Sequence, residues 1–179
     1  MAEFKEAFDL MMIHEGGWVN DPIDRGLETF RGISRKFWPN WSGWDIIDLA
    51  KTQSNFPANL KSNIDLNDLV IEFYKENFWD RWQADKINNQ SIASIIVDWL
   101  LNSGIWGIKI PQRILGLVED GIVGPKTLNA VNSSNQKGLF QDVKNAREQF
   151  YWNIVKNNPS QSKFIKGWLN RLADFKFKV

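Results

Sequence analysis

Apolar side chains at Phe4, Ala7, Phe8, Met11 and Met12 recur at helical spacing and predict a first helix that ends near His14. Residues 15–34, EGGWVNDPIDRGLETFRGIS, break that period with four glycines, a proline and Asn-Asp-Pro, so a long helix is excluded there. Residues 37–44 hold Trp38, Trp41 and Trp44 with Pro39 and Gly43, and a short helix follows near 45–51. Leu66, Leu69, Val70, Phe73 and Tyr74 mark another helix, continuing through Trp79 and Trp82. Ser91 is placed to cap the apolar run IASIIVDWLLN, which Gly104 stops. A helix apolar on nearly every side belongs at the centre of a domain. A helix over 107–116 contains Pro111, which either interrupts it or sits in its first turn. Asp120-Gly121 reads as a turn and Gly124-Pro125 as a helix start, with longer helical patterns at 138–156 and 160–175. The fold class this predicts is mainly α.

Composition narrows the chemistry. The 179 residues suit one domain, or one domain with a small appended lobe, and 43% hydrophobic with 24% charged residues is the balance of a globular protein. Twenty-two basic and 21 acidic residues leave a net charge of +1, which argues against a general nucleic-acid binder. The charge is uneven: residues 1–30 carry seven acids against two bases, and residues 156–179 carry six bases against Asp174. A basic tail suits an anionic polymer such as a cell wall, and solvated helix faces explain it equally well. With no cysteine there is no thiol nucleophile, and His14, the one histidine, cannot build a His₂ or His₃ zinc site. No metal or cofactor is expected; a Ser-His-Asp triad could be built only around His14, and carboxylate chemistry is the favoured route to any catalysis. The segment MAEFKEAFDLMM lacks the basic and apolar regions of a signal peptide, and no apolar run approaches the ~20 residues that span a bilayer. The expectation is a monomer made in the cytoplasm without a signal peptide, not inserted in a membrane. Ten tryptophans are well above ordinary usage; their rings suit both the apolar faces of sugars and a packed core.

The densest chemistry follows the first helix. A glutamate at a helix C-terminus lies at the negative end of the helix dipole, where retaining a proton is favoured, as a general acid requires. Glu15 occupies that position, and Gly16 and Gly17 leave room for a polymer to approach the backbone. Asp24 follows nine residues on, with Glu28 and Thr29 shortly after. Two carboxylates and a hydroxyl around a groove are the components of glycoside hydrolysis; a loop cap at Glu15 and a turn aspartate at Asp24 account for the same residues without catalysis. Asp98 and Asn102 share a face of the apolar helix, as a hydrogen-bond hub or as part of a groove floor. Trp38, Trp41 and Trp44 are either a sugar platform or a packed cluster.

The stretch HEGGWVNDPIDRGLETFRGIS resembles the opening of the glycoside hydrolase family 108 N-acetylmuramidases, a lysozyme-like family of phages and bacteria. DWLLNSGIWGIKIPQRILGLVEDGIVGPKTLNAV is similar to that family's predicted peptidoglycan-binding region, and FIKGWLNRL to its closing stretch, so the likeness runs in order along nearly the whole chain. The resemblance implies a lysozyme-like, two-lobed helical domain with a loop or short hairpin region after the first helix. Residues 1–90 would form a catalytic lobe with Glu15, and residues 91–179 a helical lobe holding the peptidoglycan-binding region.

Carried over residue by residue, the family's catalytic glutamate falls on Glu15, its aspartate on Asp24 and its threonine on Thr29; Gly16, Gly17, Trp18 and Asn102 are the substrate contacts expected from their own positions in this sequence. Where the family shows Gly-Gly after the aspartate, this chain has Leu27 at the second position. The implied activity is cleavage of the β-1,4 bond between N-acetylmuramic acid and N-acetylglucosamine in peptidoglycan, at the cell wall, by a phage or prophage endolysin or a secreted effector. Two alternatives keep the same residues: a lytic transglycosylase using Glu15 alone, and a non-catalytic peptidoglycan-binding or secretion-associated protein.

Overall fold

The computed structural model describes residues 1–20 and 28–178. It is mainly α and divides into two compact units, one formed by residues 1–10 with 76–179 and the other by residues 11–75. Helix α1 (Phe4–Met12) begins in the first and ends in the second.

The larger unit is built around α4 (Gln90–Ser103), in which every residue from Ser91 to Leu100 is buried. Its composition explains this, because Ser91, Ser94 and Asp98 are too few to give this segment a polar face to turn to water. It packs against α5 (Trp106–Ile114) and α7 (Gln136–Asn157), and α7 carries α8 (Ser162–Asp174). Gly107 allows α4 and α5 to approach closely: a Cβ there would overlap the Leu100 backbone. Asn89, not Ser91, is the N-cap of α4, accepting from the Ile92 amide at 3.1 Å. Asn89 stands in the extended conformation a cap needs, while Ser91 lies inside the first turn and accepts from Lys178 N at 2.9 Å. Pro111 sits in the second turn of α5 rather than the first, and α5 stops at Ile114.

Buried Gln112 organises the turn that precedes α6 (Pro125–Ser133). Its amide nitrogen donates to Asp120 Oδ1 (2.8 Å) and the Ile122 carbonyl (3.0 Å), and its amide oxygen accepts from Gly121 N (2.9 Å). The Asp-Gly stretch is therefore tied into the scaffold. Pro125 opens α6 at the position where its missing N–H is harmless.

The smaller unit holds a three-stranded antiparallel sheet, β1 (Trp18–Asn20), β2 (Glu28–Phe30) and β3 (Ile33–Ser34), followed by α2 (Gly43–Ala50) and α3 (Ile64–Tyr74). Its core includes Met11, Phe30, Ile33, Trp44, Ile47, Leu66 and Tyr74. The helical pattern after α3 does not continue as one α-helix to Trp82. It passes through a π-helical turn (Lys75–Trp79) and a 3₁₀ turn (Asp80–Trp82), and Gln83 at φ 48° ends it. Trp79 and Trp82, three residues apart, are both fully buried.

Asp98 on α4 is wholly buried and paired with two guanidiniums, Arg147 from α7 (2.5 Å) and Arg171 from α8 (2.6 Å). Arg147 also donates to the Tyr151 hydroxyl (2.7 Å) and the Ile95 carbonyl (3.3 Å). Burial alone would push the Asp98 carboxyl up, but the two arginines outweigh it and hold the group below the usual carboxylate range. Asp98→Asn keeps the shape and removes the charge, stranding two buried cations. The expected cost is about 3–5 kcal/mol of stability, measured as a lower urea midpoint by circular dichroism.

Candidate active site

The β2–β3 connection is a two-residue turn with positive φ at both Arg31 (44°) and Gly32 (78°), between the paired residues Phe30 and Ile33. Positive φ at both central positions is the form that matches the twist of antiparallel strands. On the other side of β2, Trp18 pairs with Phe30, Val19 with Thr29 and Asn20 with Glu28.

Glu15 follows α1 by three residues, its amide donating to the Met12 carbonyl at 3.3 Å, and its side chain is half-buried. Its carboxyl lies over the turn: a Cβ at Gly32 would overlap Glu15 Oε2 and stand 2.9 Å from Glu15 Cδ. The same Cβ would lie 2.6 Å from the hydroxyl oxygen of Tyr74. Tyr74, the last residue of α3, is fully buried, and its hydroxyl donates to the Arg31 carbonyl at 2.7 Å. The turn, the tyrosine hydroxyl and the glutamate thus meet over one residue that has no side chain.

Gly16 and Gly17 are exposed, and among the described residues a Cβ on either would meet no atom within 4 Å. Packing among the described residues does not demand glycine there. Trp18 is half-buried, stacked edge-on to Phe56 (4.6 Å between ring centres), and its indole N–H donates to Glu28 Oε1 at 2.8 Å. That bond commits the N–H internally and leaves the ring as the surface it presents. Thr29, half-buried, lies between the inward-facing Glu28 and Phe30 and so projects from the opposite face of β2. Asp24 and Leu27 lie outside the described residues. Asn102 belongs to the larger unit, where its amide donates to the Asp98 carbonyl (2.8 Å) and to Asp98 Oδ2 (3.3 Å).

Glu28 forms the charged centre of the sheet. Besides Trp18 it accepts from Arg35 (2.8 Å) and pairs with Lys51 Nζ (2.7 Å), while Asp48 on α2 binds both cations. Burial opposes ionisation of Glu28, but Lys51, Trp18 and Arg35 together hold it below its ordinary range. Asp48 is also held below its usual range, by hydrogen bonds from Arg35 and then Lys51. The carboxylate is thus enclosed by donors and works as a structural clamp between sheet and α2.

Trp38, Trp41 and Trp44 pack together rather than forming an open row. Trp44 is buried with its N–H on the Trp38 carbonyl (2.8 Å), and Trp41 meets Trp44 edge-on at 5.2 Å. Trp38 meets Phe73 edge-on at 4.8 Å and remains 40% exposed.

Sequence reasoning passed over Tyr74 and Gly32. Tyr74 fits the apolar period of α3 as one more core position, and nothing local marks its hydroxyl. Gly32 carried a signal, because a glycine after a short β-rich run is where a tight hairpin turn is built.

Groups held ionised more firmly in the folded than the unfolded chain stabilise it above the unfolded carboxylate range and lose that effect as pH falls through their lowered folded values. Glu28 and Asp48 therefore contribute fully above about pH 4–4.5 and progressively less below it. Glu28→Gln is expected to lower stability at pH 7 by about 1–3 kcal/mol. It also flattens the loss below pH 4, both read from urea titrations at a series of pH values.

In comparisons with known proteins, residues 8–104 match the family model described as Glycosyl hydrolase 108. Residues 106–173 match the one described as Predicted Peptidoglycan domain. Among solved structures the fold is similar to that of Brucella abortus SagA, with a TM-score of 0.66 and 25% sequence identity. That alignment covers 95% of this chain and 89% of the SagA chain. No curated protein matches.

Proposed function

Since this chain belongs to the glycosyl hydrolase 108 family and is a peptidoglycan hydrolase, we propose that Glu15 is its general acid and that it acts as an N-acetylmuramidase. The bond cleaved is the β-1,4 link between N-acetylmuramic acid and N-acetylglucosamine. The observation that carries this reading is the setting of Glu15: a half-buried carboxyl just past a helix end, bordered by two exposed glycines whose side-chain space is open among the described residues. A glycan strand needs such an approach, and the acid must reach the glycosidic oxygen from the protein side.

Protonation of that oxygen by Glu15 expels the leaving sugar, while positive charge builds at the anomeric carbon in an oxocarbenium-like transition state. Asp24 and Thr29 take the second role, holding the water or stabilising that charge. The exposed backbone at Gly16 and Gly17 admits the strand, and the ring of Trp18 offers an apolar surface to a sugar face. Glu28 is not assigned to the reaction, because its oxygens are occupied by Trp18, Arg35 and Lys51.

Purified sacculi incubated with wild type and with Glu15→Gln, followed by mass spectrometry of the soluble products, test the assignment. Reducing muramic ends from the wild type and about a thousandfold slower release by the variant are expected. Anhydro-muramic ends would replace the reading with lytic transglycosylation by Glu15 alone. No Glu15-dependent product from several wall types would replace it with a wall-binding role. Thr29→Ala is expected to slow release about tenfold without changing the product ends.

A further inference from the structure

We infer that Tyr74 is a positioning residue for Glu15, and that the bare face of Gly32 completes the seat in which the two meet. This rests on the reading of Glu15 as general acid. A catalytic carboxyl must be held to within a fraction of an ångström of its working position, which requires neighbours that are themselves immobile.

Tyr74 meets that requirement twice. Its ring is fully buried, edge-on to Phe73 at 5.6 Å, and its hydroxyl is fixed by the 2.7 Å bond to the Arg31 carbonyl. A phenol has one proton to donate. With that proton directed to Arg31, the hydroxyl can act towards other neighbours only as an acceptor, and it borders the same bare face of Gly32 as the Glu15 carboxyl.

Gly32 sets the third wall. The position its Cβ would take lies 2.6 Å from the Tyr74 hydroxyl oxygen and overlaps Glu15 Oε2, so both groups occupy space that any other residue would fill. The positive φ of Gly32 keeps that face turned towards them. Two separate demands, on backbone conformation and on space, therefore fall on one residue. The tyrosine arrives from α3, more than forty residues further along the chain, and couples the seat to the core of the smaller unit.

The test uses Tyr74→Phe, Gly32→Asn and Glu15→Gln in the full chain, with release of reducing ends from purified uncrosslinked glycan strands as the assay. Rates are expressed per folded molecule, the folded fraction being read by near-ultraviolet circular dichroism. Asparagine tolerates positive φ, so Gly32→Asn restores the Cβ with little backbone strain. Tyr74→Phe is expected to lower kcat at least tenfold with KM within twofold, because glycan contacts stay and the acid loses its register. Gly32→Asn is expected to lower kcat a hundredfold or more by displacing the carboxyl. Both folded variants retaining kcat within twofold of wild type, with Glu15→Gln inactive, would overturn the inference and leave the general-acid reading standing. An active Glu15→Gln would remove the general-acid reading, and the inference with it. If Tyr74→Phe does not fold, Gly32→Asn decides alone: reduced kcat supports the seat and unchanged kcat overturns it.

Discussion

Asp98 is the fixed point of the larger unit. A carboxylate in the middle of a helix with no solvent-facing side is tolerable only if its charge is met, and Arg147 and Arg171 meet it from two other helices. The positions of α7 and α8 against α4 are therefore restricted by charge as well as by apolar packing. Hydrophobic contacts alone leave helices free to slide or rotate with modest loss, whereas a buried ion triad has one arrangement that satisfies its oxygens. Tyr151 and Phe175, whose rings face the Arg147 guanidinium at 5.6 Å each, extend the same constraint into the aromatic core.

The smaller unit follows a related logic at its surface. Alternate residues of β2 point inward, and Glu28 is one of them, so a charge enters a sheet only three strands wide. Arg35, Lys51 and the Trp18 N–H surround it, which draws β1, α2 and the segment after β3 onto β2. The short strands contribute few backbone hydrogen bonds, and this cluster supplies directional contacts that they lack. On the far edge, the Arg31-Gly32 turn fixes the hairpin against which Glu15 rests.

Much of this was legible in the sequence where one periodicity dominates. The unbroken apolar run made α4 a buried helix, Gly124-Pro125 gave the start of α6, and the motif around Glu15 led to the family. Where several conformations share similar residues the pattern was blind. The passage from α3 into π and 3₁₀ turns keeps apolar residues arriving at near-helical intervals, so no sequence period separates it from a longer helix. Glu28 reads as one more acid in an acidic segment, and only pairing with Arg35 and Lys51 reveals it as a clamp. Tyr74 shows the same limit more sharply, because its role depends on a turn far away in the chain. The family motif named Glu15 but said nothing of what holds it.

The division of the chain into units has a consequence for its synthesis. The unit bearing Glu15 is contiguous and has fully emerged once residue 75 has cleared the ribosome. The other is split: residues 1–10 precede the smaller unit in the chain, and the remainder begins at residue 76. Asp98 then waits for Arg147 and finally for Arg171, the last of its partners to be made. Until then the Asp98 carboxylate lacks one of its two cations, so the larger unit cannot be completed before Arg171 has emerged.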